Sequence, residues 1–211
     1  MLYVLDLDDT LYLERDFVRS GFQAVADYLK EQKITDSFCE MAWSLFRNGY
    51  QHYVFNQALK KEQIEFNEQL INDLVDVYRH HKPNIDLAPD AGSFLAGHSI
   101  DQLALITDGN SVTQWNKINA LELKQYFTTI IVTDNYGRDF WKPDRRVFEK
   151  VQGAEPPENC VHIADNPAKD FIAPRQLGWR ESVRIKRPQS LHENVPTPPD
   201  CREINSLKEI Q

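Results

Sequence analysis

Two aspartates near the start of the chain, Asp6 and Asp8, leave an apolar run at residues 2–7 and stand two positions apart. In an extended strand that spacing points both carboxylates the same way, about 6.6 Å apart. A third, Asp165, follows a second apolar run at residues 160–164. Carboxylates brought together repel, and a hard divalent cation relieves that repulsion best. Oxygen ligands without His or Cys favour Mg²⁺ over zinc. A Mg²⁺ ion that keeps water-filled positions suits a phosphate substrate. Lys142 and the Thr107 hydroxyl would then supply positive charge and a donor for phosphoryl oxygens. Each aspartate alone could equally be a loop or helix-capping residue. The group stands apart because several expected strand ends carry carboxylates.

Those residues must be positioned by a sheet. Residues 102–107, 129–133, 160–164 and 181–185 read as strands, and residues 111–121, 144–151 and 168–177 as helices between them. This alternation marks a parallel sheet wrapped by helices, an α/β Rossmann-like fold that presents ligand groups at the strands' carboxyl ends. Residues 16–82 contain no proline and repeat apolar side chains at helical spacing, with breaks near 33–36, 48–50 and 60–63. Four helices are expected there, inserted between the first strand and the rest. The stretch HKPNIDLAPDAG reads as the linker back, and the proline-rich tail after Arg187 as a loop ending in a short strand or helix. The expected division is a catalytic core of residues 1–14 and 86–211 and a helical cap of residues 15–85.

Composition narrows the partners. The 211 residues carry 32 acidic against 24 basic side chains, a net charge of −8, and 41% are hydrophobic. That apolar share supports a core. The acidic balance argues against nucleic acid, which needs clustered Lys and Arg, and against anionic membrane surfaces. No apolar run approaches a membrane span, and the opening MLYVLDLDDT lacks the pattern of a signal peptide. A cytoplasmic monomer or homodimer with free thiols at Cys39, Cys160 and Cys201 is expected.

LDLDDTLY, LITDGN, WKPDRRVF and HIADNPAKDF stand in this order over about residues 1–186. Together they resemble the four motifs of the haloacid dehalogenase superfamily, and the helical insert resembles the cap of its haloacid dehalogenase and phosphoglycolate phosphatase branch. One departure is Ala164, where the fourth motif usually has Gly. The resemblance implies that Asp6 is a nucleophile forming an aspartyl-phosphate and that Asp8 is the general acid and then the base. It implies Mg²⁺ on the Asp6 carboxylate, the Asp8 carbonyl and Asp165. Thr107 and the backbone amides near Asp108 and Gly109 would hold the phosphoryl group, and Lys142 would offset its charge. Asp170 and Asn166 would be outer metal groups, with helix capping an equal alternative for Asp170. Asp9 is expected to turn outward and Thr10 to order the turn.

Asp8 bears on the reaction class. Halide leaves without a proton, whereas the alkoxide of a phosphate ester needs one, so the pair favours a phosphatase over a dehalogenase. Transfer of the phosphoryl group to a second hydroxyl, as in a phosphotransferase or phosphomutase, differs only in what the cap admits. A non-catalytic binding protein is the remaining alternative. In the cap, Arg47, Tyr50, His52 and Tyr53 are either helix core or substrate-facing. Arg79, His81 and Lys82 either complement a helix end or meet the anion, and Arg15 is a similar candidate. A small phosphorylated metabolite is the expected partner.

Overall fold

An apolar run with β-branched Val4 inside it builds β1 (Leu2–Leu5), the strand against which the rest of the sheet assembles. The protein is seen as a computed structural model that describes residues 1–50 and 52–210. The other strands are β2 (Leu103–Thr107), β3 (Thr129–Val132), β4 (Cys160–Ala164), β5 (Glu181–Ile185) and β6 (Arg202–Ile204). All pairings are parallel, in the order β3-β2-β1-β4-β5-β6, and β2 and β4 are buried along their whole length. Val4 lies in register between Ala104 and His162.

Four helices precede β2: α1 (Glu14–Glu31), α2 (Phe38–Arg47), α3 (Val54–Lys61) and α4 (Glu68–His80). A fifth, α5 (Pro89–Ala96), also precedes β2, with its proline in the first turn where no amide donor is needed. It occupies part of the expected linker, because Ala91, Phe94 and Leu95 form an apolar stripe that buries. Between strands lie α6 (Ser111–Ala120), α7 (Arg145–Gln152) and α8 (Ile172–Gln176). Val147, Phe148, Val151 and Ala173 pack on the sheet face that carries Val4, while Phe94 meets Tyr3 edge-on on the other. Helices therefore cover both faces of an α/β, Rossmann-like sheet.

The chain divides into two compact units, residues 1–15 with 85–211, and residues 16–84. The second unit has its own core, in which Phe22, Val25 and Leu29 meet Phe38, Leu45, Leu59 and Leu74. Among the described residues no helix is long and apolar enough to cross a membrane.

Three local expectations are corrected. The first strand stops at Leu5, because the amides of Thr10 and Leu11 fold back to the Leu7 carbonyl. Asp8 is therefore set by a tight turn and not by strand alternation, while the Asp6 amide still donates to the Ile163 carbonyl. Asp9 does not turn outward: it sits in the left-handed region (φ 53°), is buried, and accepts the amides of Glu14 at 2.9 Å and Leu191 at 2.7 Å. The helix expected from residue 168 begins at Ile172, since residues 166–170 close a turn in which the Asp170 carboxylate accepts the Asn166 amide at 3.0 Å.

Candidate active site

Three adjacent strands, β2, β1 and β4, deliver their carboxyl ends side by side at the centre of the sheet. Asp6 leaves β1, and its amide is still held by the Ile163 carbonyl of β4 at 2.9 Å. The Lys142 ammonium, arriving from the loop before α7, contacts Asp6 at 2.5 Å and Asp170 at 2.7 Å. Burial pushes the Asp6 carboxyl up to about 7; Lys142 opposes that rise, and the charges of Asp170 and Asp8 add to it. Lys142 is itself held charged: burial disfavours the ammonium, but Asp170 and Asp6 outweigh it. Asp170 takes the larger benefit of this shared cation and stays below the ordinary carboxylate range against its own burial. Asp170 therefore anchors Lys142 and does not cap a helix.

Asp8 lies at the end of the turn and is fixed from α6. Lys117 reaches one carboxylate oxygen at 2.7 Å, and the Tyr12 hydroxyl donates to the same oxygen. The Gln114 amide donates to the other oxygen at 2.8 Å and to the Thr107 hydroxyl at 2.5 Å. Burial works to raise the Asp8 carboxyl, yet the Lys117 charge with these hydrogen bonds holds it below the ordinary range. Gly109 makes room for Gln114. Its φ is +134°, and a side-chain carbon there would stand 3.1 Å from the Gln114 amide carbon.

Asp108 follows Thr107 and turns inward. One of its oxygens accepts the Thr133 hydroxyl at 2.8 Å and the Lys142 amide at 3.1 Å; the other accepts Lys169 at 2.8 Å. Thus Asp6, Asp8, Thr107, Asp108, Lys142 and Asp165 all belong to one cluster. Tyr12, Gln114, Lys117 and Lys169 join it without having been singled out from the sequence. Gln114 and Lys117 stand three apart on α6 and share a face, which is the one sequence signal that could have found them.

Asp165 tests the fit of a metal. Among the described residues its buried carboxyl accepts no hydrogen bond, and only its carbonyl is used, by Arg184 at 3.1 Å. Burial, then the charges of Asp6 and Asp170, push it up to about 10. A cation would complete such a group. No three His, Cys, Asp or Glu side chains among the described residues form a ready-made ligand set, so a metal here must also draw on backbone oxygen or water. That donor chemistry suits Mg²⁺, which keeps several waters.

Elsewhere, Arg15 hydrogen-bonds Gln189. In the unit of residues 16–84, Tyr50 and Tyr53 are exposed, whereas Phe22, Phe46 and Phe55 meet in its core.

A glyceraldehyde 3-phosphate phosphatase of Pyrococcus furiosus is 27% identical over 133 residues, covering 61% of this chain and 55% of that protein. A phosphoserine phosphatase of Thermus thermophilus is 28% identical over 173 residues, covering 80% of this chain and 66% of that protein. The match therefore spans less than two thirds of the length of these two relatives. The fold is shared with a HAD-hydrolase of Bacillus subtilis, YfnB, bound to magnesium, with a TM-score of 0.68 at 20% identity over 99% of this chain and 95% of that one. Residues 3–181, which include the carboxyl ends of β1, β2 and β4, match the haloacid dehalogenase-like hydrolases, and the chain belongs to that family.

Proposed function

We propose that the protein is a Mg²⁺-dependent phosphatase that hydrolyses a small phosphomonoester through an aspartyl-phosphate on Asp6. The observation that carries this reading is the Gln114 amide, which ties the Asp8 carboxylate to the Thr107 hydroxyl. A second carboxylate beside a hydroxyl donor suits a reaction whose leaving group needs a proton, and so supports this reading. Both relatives named above are phosphatases of small phosphorylated metabolites, which supports the same class.

The Asp6 carboxylate attacks phosphorus while Asp8 gives its proton to the departing ester oxygen. Asp8 is a carboxylate in the ligand-free protein; a dianionic phosphate entering beside it raises its proton affinity by like-charge repulsion, and Asp8 takes up from solvent the proton that it then gives to the ester oxygen. Asp8, now deprotonated, takes a proton from water, whose oxygen attacks the aspartyl-phosphate and releases inorganic phosphate and Asp6. The Thr107 hydroxyl and the amides at Asp108 and Gly109 bind phosphoryl oxygens, and Lys142 offsets charge on them and on Asp6. Asp6, the Asp8 carbonyl and Asp165 would hold Mg²⁺, which when bound polarises the phosphoryl group and keeps Asp6 ionised.

Release of p-nitrophenol from p-nitrophenyl phosphate tests the reading. Activity should require Mg²⁺, vanish with EDTA, and fall by at least about a thousandfold in Asp6→Asn. Mg²⁺ should raise the melting temperature of the wild type and leave that of Asp165→Asn unmoved. Hydrolysis that persists in EDTA, or in Asp6→Asn, overturns the mechanism.

A further inference from the structure

The three lysines of the site differ in access. The Lys142 and Lys117 side chains are 0% and 3% exposed, whereas Lys169 is 34% exposed. Lys142 and Lys117 are each committed to carboxylates whose placement they fix. Lys169 reaches Asp108, a carboxylate already anchored on its other oxygen by Thr133 and the Lys142 amide. The backbone beneath Lys169 is held on both sides. The Asn166 side chain accepts the Ala168 amide at 2.9 Å, and Asp170 accepts the Asn166 amide at 3.0 Å while its second oxygen holds Lys142. Burial and Lys142 oppose the charge on Lys169, and Asp108, Asp6 and Asp170 favour it, so its ammonium lies within the field of the nucleophile. A four-carbon stem can turn that ammonium by several ångströms with no backbone change.

We propose that Lys169 is a substrate-binding residue, whose ammonium exchanges the Asp108 carboxylate for the non-bridging oxygens of the substrate's phosphate. The inference rests on the phosphatase reading. The exchange is favourable because a phosphate dianion carries more charge than Asp108, and Asp108 keeps two other donors when Lys169 leaves. Lys142 would then govern Asp6, while Lys169 would govern capture of the dianion and release of the phosphate product.

Steady-state kinetics of the wild type, Lys169→Met, Lys169→Gln and Lys169→Arg with p-nitrophenyl phosphate test this, with inorganic phosphate as competitive inhibitor and melting temperatures alongside. Without the charge-assisted hydrogen bond from Lys169, both KM and the phosphate Ki should rise by at least about tenfold in the Met and Gln variants. kcat should change less, and Arg should recover most of the affinity. If Lys169 merely braced Asp108, its removal would lower the melting temperature and leave the phosphate Ki within about twofold, and that outcome overturns the proposal. Should Lys169→Met not fold, the Gln variant carries the same comparison. A wild type that hydrolyses no phosphomonoester overturns the phosphatase reading and this inference with it. An active wild type with unaltered Ki in the variants overturns this inference alone.

Discussion

Under the proposed mechanism two demands meet at Asp8: the carboxyl must be held in one orientation, and it must exchange a proton during turnover. Lys117, Tyr12 and Gln114 meet the first by occupying both oxygens. Lys117 also fixes the resting charge, since its ammonium is 3% exposed and the carboxylate is its counter-ion. Removing one partner of such a pair leaves the other buried and uncompensated. Lys117→Met should therefore destabilise the protein by about 3 kcal/mol, read as a lower urea midpoint. The Asp8→Asn/Lys117→Met double variant should recover most of that loss while remaining inactive. Equal destabilisation in the single and double variants would show that the pair adds nothing beyond the packing of α6.

At the scale of elements, the tail after β5 has work that its proline-rich sequence does not announce. Arg187 donates twice to the Thr10 carbonyl, at 2.9 and 2.7 Å, and reaches Asp90 at the start of α5 at 2.9 Å. The same Asp90 accepts the Ser206 hydroxyl at 3.0 Å and the Leu207 amide at 2.8 Å. One buried ion pair thus ties the turn between Asp6 and Tyr12, the start of α5 and the chain's last described segment together. Burial raises the Asp90 carboxyl, but hydrogen bonds from Arg187, Leu207 and Ser206 hold it below its ordinary range. The stabilisation it contributes is present above the ordinary carboxylate range and is lost as pH falls through its depressed value. Arg187→Met removes the counter-charge of Asp90, which keeps only the Ser206 and Leu207 donors, and frees the Thr10 carbonyl. It should cost about 3 kcal/mol in urea unfolding and lower kcat for p-nitrophenyl phosphate. A variant with unchanged kcat would mean that the turn keeps its shape without the tail.

At the scale of the molecule, the interior of the sheet carries a titratable imidazole. His162 lies on β4 among Phe148, Phe171 and Trp179; its Nδ1 is 2.9 Å from the Val4 carbonyl, and its Nε2 is buried without a partner. Burial first, then Lys142, pushes the imidazole down to about 4 from 6.5. Below its ordinary value the unfolded chain takes a proton that the folded chain refuses, so stability falls as pH drops from about 6.5 towards about 4. The loss is at most about 3 kcal/mol. Asp6 and Asp165, raised in the folded protein, contribute in the opposite sense, so the His162 share is the difference between wild type and His162→Gln. Urea midpoints across that window should converge as pH falls, with the variant the less stable at neutral pH. Parallel midpoints would place the acid sensitivity elsewhere.

The sequence by itself determined the class of fold and the carboxylate chemistry. Strand periodicity and the rule that α/β sheets present ligands at strand ends act over a few residues, and they suffice to bring Asp6, Thr107 and Asp165 to one place. The four helices of residues 16–84 were legible for the same reason, as apolar stripes at helical spacing. The tertiary structure alone decided which polar side chains are buried beside them. Lys117 meets Asp8 across 109 positions, and Arg187 meets Thr10 across 177. A polar residue on an amphipathic helix or in a proline-rich tail reads as solvated until the fold sets a counter-charge against it. Asp9 shows the same limit at short range: a turn residue by type, it is buried because a distant amide, that of Leu191, needs an acceptor.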